Sequence, residues 1–199
     1  MMLVEETTVP QAALPVAVFK EHLHLGSGFA DDGLQDAVLE TYLRAALAAV
    51  EARTGKILIE RDFSWTLSAW RDHAEQALQV APVSAIADLR IAGRDGIETS
   101  VSVQAYQLIP DSQRPRLAAT GGALPTIPPG GSARVVFMAG YGPDWADLPA
   151  DLAQAVLMLA AHYYEFRHDM RGTGGAMPQG VAALIDRYRT VRLFAGGRG

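Results

Sequence analysis

The sequence predicts an α+β fold in which a helical body carries a small antiparallel β-sheet insertion. Apolar residues recur at helical spacing near both ends of the chain, whereas the period falls to two residues in the middle. Helices, strands and helices thus follow one another in blocks, which favours α+β over a doubly wound parallel sheet. The 199 residues allow one domain. We place it at 15–189, between a flexible amino-terminal segment, 1–14, and a carboxy-terminal tail, 190–199.

Two helices are predicted over residues 15–55. Pro15 is predicted to begin a short helix that runs to Leu23. Proline suits a first turn because the N–H that it lacks would have no acceptor within the helix. Asp31 and Asp32 then open a long helix by opposing its positive end. Thr54-Gly55 ends this helix because glycine adopts the left-handed C-cap cheaply. The long helix carries two apolar stripes, both expected to be buried: Leu39, Leu43, Ala46 and Val50, and Leu34, Val38, Tyr42, Ala45 and Ala49.

Alternation predicts a β-rich insertion over residues 57–140. Asp95-Gly96 is a hairpin signal, because glycine tolerates the positive φ of such turns. The glycine- and proline-rich stretch Leu117 to Ser132 predicts a loop or mobile flap. The strands are expected at Phe63 to Ser68, Val83 to Ile91, Val101 to Val103, Tyr106 to Ile109 and Arg134 to Met138.

Helices are predicted again over residues 148–189. Pro149 and Asp151 suit a first turn, and apolar residues then repeat at four-three spacing as far as Phe166. A glycine-rich break at 171–180 precedes a last amphipathic stretch. Its apolar side comprises Val181, Leu184, Ile185 and Tyr188.

Composition excludes several classes of function. The chain has no cysteine, so disulfides, zinc-thiolate sites and thiol nucleophiles are ruled out. It shows neither a basic signal-peptide start nor an apolar run near the roughly 18 residues of a membrane span. Residues 1–166 hold 11 basic against 20 acidic side chains, a net charge of −9, and residues 167–199 hold 6 against 2, a net charge of +4. The acidic body argues against nonspecific duplex binding, so only the tail offers cations for that purpose.

The strongest enzymatic alternative is a di-metal site. Glu21 and His24, and likewise Glu165 and His168, form E-x-x-H pairs of the kind that helical di-iron proteins use. Such a site also needs two further carboxylates, for which only Glu40 and Glu51 are suitably placed. Both pairs lie at helix ends, where a histidine opposing the helix dipole and solvated carboxylates are the simpler interpretation. We therefore predict no catalytic residue, no metal site and no cofactor.

The carboxy-terminal arginines allow three interpretations. They neutralise the negative end of the last helix, or they insert into an acidic protein partner, or they contact nucleic acid. In the nucleic-acid interpretation Arg187, Arg189, Arg192 and Arg198 pair with phosphates. Arginine suits a protein interface because its guanidinium is planar and weakly hydrated. Adjacent apolar residues would anchor such a contact. The candidate partner-binding residues are Arg187, Arg189, Arg192, Leu193 and Phe194.

Six segments in order resemble the head-tail connector, or adaptor, family of long-tailed bacteriophages and gene transfer agents. The resemblance extends from about residue 15 to near the end of the chain. It depends on the six segments occurring together in this order and not on any one of them. The segments are YLRAALAAVEARTGKIL (42–58), FSWTLSAW (63–70), APVSAI (81–86), VVFMAGYG (135–142), LPADLAQAVLMLAAHYYEFR (148–167) and MPQGVAALIDRYR (177–189).

The resemblance implies a structural role at the head-tail interface of a phage virion or gene transfer agent particle. Members of the family form a ring, typically dodecameric, beneath the portal, and the helices build the ring body. The expected partners are copies of the chain itself, the portal protein and a stopper or tail-terminator protein. Double-stranded DNA would pass through the lumen without specific binding, and no membrane is involved. The carboxy-terminal segment, from about Gln179 to Gly199, is the expected portal-docking element. The alternative role at the same interface is a DNA-binding head-completion factor that uses the arginine tail.

Overall fold

The computed structural model describes residues 2–24, 35–167 and 177–189 and confirms the α+β class. In this part of the chain, helices and two antiparallel sheets form two hydrophobic cores. The helices are α1 Val16–His22, α2 Asp36–Thr54, α3 Ala150–Glu165 and α4 Gln179–Ile185. The strands are β1 Met2–Glu5, β2 Arg61–Leu67, β3 Glu75–Ala77, β4 Val83–Ala92, β5 Glu98–Ser100, β6 Tyr106–Ile109, β7 Arg116–Ala119 and β8 Ser132–Ala139.

The helices pack around α3, which contacts α1, α2 and α4. Gly55 caps α2 with a φ of 70°, as its sequence position predicts. The predicted start of this helix at Asp31 and Asp32 lies outside the described residues. No helix in the described ranges combines the length and the apolar character that a membrane crossing requires.

The two apolar stripes of α2 have different surroundings, contrary to the expectation that both are buried. The first stripe lies in the helical core, where Leu43 and Val50 are fully buried. On the second, Val38 is 49% exposed and Ala45 is also exposed. The second stripe lies at the margin of the contact with α3: Tyr42 meets the ring of Tyr164 edge-on, with 5.8 Å between the ring centroids, while Val38 and Ala45 remain on the solvent side.

The larger sheet has the strand order β1-β2-β8-β4-β5, with every neighbouring pair antiparallel. Gly96, with a φ of 76°, lies in the predicted hairpin turn between β4 and β5. Strand β1 differs from the flexible segment expected over 1–14, because Met2–Glu5 pairs with β2. Four residues are too few to show a period, and the pairing partner lies some sixty residues away in sequence.

The smaller sheet, β3-β7-β6, closes over the second core. The strand predicted at Val101 to Val103 is wrong: Val103–Ala105 is a 3-10 turn that Ser102 caps at Gln104 N, and β5 lies just before it. The predicted loop begins later than expected, because Arg116–Ala119 forms β7. The remainder, 120–131, is attached to the body, since Trp70 Nε1 donates to Pro125 O at 2.7 Å and Leu124 is buried.

A buried ion pair joins the helical layer to the larger sheet. Arg61, at the start of β2, has a side chain only 4% exposed and contacts Glu51 of α2 at 2.8 Å and Glu5 at 3.0 Å. Glu51 Oε1 also accepts the N–H of Leu58 at 2.8 Å. Burial raises the pKa of Glu51, and the Arg61 guanidinium opposes that shift. These contacts hold α2 and β2 in a defined relation.

Candidate functional site

Two of the predicted partner-binding residues lie just beyond α4, at the end of the last described segment. Arg187 Nη2 contacts Asp151 Oδ2 at 2.6 Å and donates to the Tyr188 hydroxyl at 2.6 Å. The Tyr188 hydroxyl donates in turn to Asp151 Oδ1 at 2.7 Å. We call Asp151, Arg187 and Tyr188 the carboxy-terminal clamp. It holds the chain after α4 against the first turn of α3.

The clamp combines charge with partial burial. The Arg187 guanidinium lies 4.8 Å from the centroid of the Tyr188 ring, which adds a cation–π contact. Tyr141, half-buried nearby, has its pKa raised to about 12 by desolvation and by the neighbouring Tyr188 and Asp151. Desolvation also raises the pKa of Tyr188, with its hydrogen bond to Asp151 as a further cause. Both hydroxyls therefore stay protonated at neutral pH, so Tyr188 remains a donor to Asp151.

The other predicted site residues are not brought together with Arg187 in the described ranges. Arg189 is exposed and contacts Asp186 Oδ1 at 3.2 Å, one turn back on its own segment. Arg192, Leu193 and Phe194 lie outside the described residues. Of the predicted residues that the structure describes, Arg187 therefore belongs to the clamp and Arg189 lies outside it.

A second group of charged side chains crosses the solvent-facing side of the larger sheet, and no sequence pattern predicted it. Arg134 lies between Glu6 at 2.9 Å and Glu98 at 3.7 Å. Arg90 lies between Glu98 at 3.2 Å and Asp88 at 2.6 Å. The hydrogen bond from the Ser64 hydroxyl, followed by that from Arg134, lowers the pKa of Glu6, and the hydrogen bond from Arg90 lowers the pKa of Asp88. We call these five side chains the sheet-face network; it runs from β4 and β5 across β8 to the residue that follows β1.

The two further carboxylates that a di-metal site would need are already paired with arginines. Glu40 pairs with Arg44 at 2.7 Å, and Glu51 is held by Arg61. The Glu21–His24 pair does not share a helix, because α1 ends at His22 and His24 has a φ of 52°. His168 lies outside the described residues, and the described ranges contain no group of three potential metal ligands.

No local sequence signal could have revealed the clamp or the network. Asp151 and Tyr188 are 37 residues apart, and Glu6 and Arg134 are 128 apart. Each residue has an adequate local explanation: Asp151 suits a helix start, and Tyr188 continues an apolar face. The pairings follow only from the packing of α4 on α3 and of β1 and β8 on β2.

Comparison with solved structures gives full-length matches to components of gene transfer agent (GTA) particles. A chain in the neck of an empty GTA particle, computed with C6 symmetry, is 55% identical with a TM-score of 0.89, and the match covers 98% of this chain and 99% of that one. A chain in the virion of a native GTA particle is 54% identical, with a TM-score of 0.87 and the same coverage. A chain in the neck of a native GTA particle, computed with C12 symmetry, is 50% identical, with a TM-score of 0.85 and again the same coverage. No family model and no curated protein matches the chain.

Proposed function

The chain belongs to the head-tail connector family of bacteriophages and gene transfer agents, and from this membership we propose that it is the adaptor subunit of a particle neck. It is a structural component of such a particle rather than an enzyme. As an adaptor, it forms a ring beneath the portal, extends the DNA channel and carries the stopper or tail-terminator protein. The observation that carries this proposal is the full-length match, at 50–55% identity, to chains of GTA necks and virions.

Ring formation is supported by symmetry and by the surface of the chain. The matching neck structures were computed with C6 and C12 symmetry, which suits a subunit repeated around an axis, and we propose a dodecamer. A ring needs two different patches on each subunit, one for each neighbour. Val38 and Ala45 leave an apolar stripe of α2 available for such contact.

We assign portal docking to the carboxy-terminal segment, but its residues have different roles from those expected from the sequence. Arg187 is held by Asp151 and Tyr188 in its own chain, so its role is to position the segment. Arg192, Leu193 and Phe194 then supply the charged and apolar contacts with the portal.

The chain lets DNA pass without gripping it. Arginines bind duplex DNA by pairing with phosphates and releasing counterions. On the larger sheet, Arg90 and Arg134 already lie between carboxylates, and Arg187 and Arg189 are also paired. The same pairing disfavours the alternative of a DNA-binding head-completion factor.

Deleting residues 190–199 tests the docking assignment. Truncated protein should fold normally and lose co-sedimentation with portal particles, because the contact residues are gone while the clamp remains. A matched control, Arg53→Ala, removes an exposed arginine from the last turn of α2, outside the carboxy-terminal segment, and should leave co-sedimentation unchanged. Undiminished binding of the truncated chain would refute the docking segment. Absence of the chain from the neck of purified particles, viewed by cryo-electron microscopy, would refute the adaptor role itself.

A further inference from the structure

The larger sheet has two open edges, β1 and β5, that face away from one another. We propose that in the ring the β1 edge of one subunit pairs with the β5 edge of its neighbour, so that the sheet continues from copy to copy. This inference rests on the proposed function, since it names the contact that would join adjacent copies. Exposed apolar side chains mark both edges: Met2 is 61% exposed, and Ile97, just before β5, is 68% exposed.

The backbone groups of β1 that point outward can be identified from the ladder. Glu6 N donates to Asp62 O at 2.8 Å, in register with the pairing of Val4 to Ser64 and of Met2 to Thr66. Antiparallel partners alternate between pairs that exchange hydrogen bonds and pairs that do not. Leu3 and Glu5 therefore direct their N–H and C=O groups away from β2. This short edge contains no proline, and Met2–Val4 carries no charged side chain of the kind that usually protects an edge.

The same reasoning identifies the outward groups of β5. Val101 N donates to Leu89 O at 2.8 Å, in register with the pairing of Thr99 to Ile91. Glu98 and Ser100 therefore direct their backbone groups away from β4. Each edge thus presents two residues spaced for a single ladder, and within the described ranges no further strand pairs with either one.

The number of strands decides how two copies can meet. Neighbouring strands of the five-stranded sheet are all antiparallel, so its first and last strands run in the same direction. A copy rotated about an axis along the strands therefore brings its β1 beside β5 in parallel. Because the two edges differ, the contact is heterologous, and repetition closes a ring when the rotation permits.

Side-chain faces select the register. Leu3 lies opposite Trp65 on the core side of the sheet, and Thr99 lies opposite Ile91 on that same side. Placing Leu3 beside Thr99 keeps both faces continuous, and the backbone of Leu3 then bonds to Glu98 and Ser100 as parallel pairing requires. In this register Glu98 meets uncharged Met2, so no like charges oppose one another.

A cysteine pair tests the register directly, since the natural chain has no cysteine. Strands about 4.8 Å apart fall within the Cα separation that a disulfide tolerates. Particles carrying Leu3→Cys and Thr99→Cys together should give a ladder of covalent oligomers on mild oxidation, whereas either single variant should give none. A matched control combines Leu3→Cys with Asp72→Cys, at an exposed position between β2 and β3 that belongs to neither edge, and should also give no ladder.

Proline variants provide a second, independent measurement. Leu3→Pro removes an N–H that points outward, so the isolated chain should keep the thermal stability of wild type while the fraction of chains in rings falls. Val4→Pro removes a donor to β2 and should lower stability itself. Neck rings that form normally with Leu3→Pro and give no 3–99 cross-link would overturn the edge pairing and leave the adaptor role intact. Necks that lack the chain altogether would overturn both.

Discussion

At the residue scale, Arg61 shows how a buried charge ties two layers together. Its guanidinium satisfies Glu51, which would otherwise be a desolvated carboxylate next to the helical core. A buried ion pair stabilises the folded state little more than apolar residues of the same volume would. Removing one partner, however, strongly destabilises it, because the other charge stays buried without a counter-charge. The value of Arg61 therefore lies in neutralising Glu51 and in holding Glu5 of β1.

Replacing Arg61 should destabilise the chain in a pH-dependent manner. In Arg61→Met, the burial that raises the pKa of Glu51 is unopposed, so the folded state binds a proton more tightly than the unfolded state. Stability should fall as pH rises from the unfolded pKa through the folded pKa, with a loss of roughly 3–5 kcal/mol at neutral pH. Urea unfolding at pH 5 and pH 8 measures this difference. Adding Glu51→Gln should recover part of the loss and flatten its pH dependence; an equal loss at both pH values in the single variant would contradict the argument.

The clamp supports a prediction about Tyr188. In Tyr188→Phe the ring still stacks on Arg187, while the hydroxyl that links Arg187 to Asp151 is lost. We expect a loss of about 1–2 kcal/mol, since a hydrogen bond to a charged group is lost at a half-exposed position. Thermal unfolding measures this, and portal co-sedimentation should weaken in parallel because the tail is no longer positioned. Tyr163→Phe is the matched control, because that hydroxyl is outside the clamp; equal effects of the two variants would argue against a positioning role.

At the element scale, local patterns predicted the elements that are long or bounded by strong signals. Helix α2 ends at Gly55, and β6 matches the predicted Tyr106 to Ile109 in full, because these segments contain their own turn and cap residues. Strand β3 escaped prediction, since Glu75–Ala77 has three residues and pairs with β7 some forty residues later. Strand β1 escaped for the same reason. The clamp joins the start of α3 to the segment after α4, which are far apart in sequence. Its side-chain pairing therefore could not be predicted from local patterns.

The loop over 120–131 should be less mobile than its composition suggests. Trp70→Phe keeps the aromatic ring but removes the donor to Pro125 O, so we expect faster amide hydrogen exchange at Leu124, whose N–H is held by the attached loop. His73→Ala is the matched control: the Leu124 N–H donates to the backbone oxygen of His73, and that oxygen is unchanged. Equal exchange rates at Leu124 in wild type and Trp70→Phe would show that the tryptophan does not hold the loop.

At the scale of the whole molecule, the division of charge predicted from sequence is reinforced by pairing. Of the 14 basic residues in the described ranges, at least eight lie within 4 Å of a carboxylate. Net charge alone would not prevent arginine side chains from contacting phosphate. Pairing with carboxylates does prevent it, because an arginine would have to break its existing ion pair before it could contact a phosphate.

Releasing the paired arginines should therefore create affinity for DNA. In Glu6→Gln with Glu98→Gln, Arg134 loses both carboxylate partners and Arg90 loses one. Arg90 stays paired with Asp88, so we expect weak duplex binding through Arg134, with a slope of about −1 in log K against log salt, as one phosphate contact implies. Fluorescence anisotropy with a labelled duplex measures this, and wild type should show no such binding at physiological salt. Glu21→Gln with Glu165→Gln makes the same change in net charge at exposed positions away from the sheet-face network, so it should not bind. Equal binding by the two double variants would mean that net charge, rather than pairing, keeps the surface from gripping DNA.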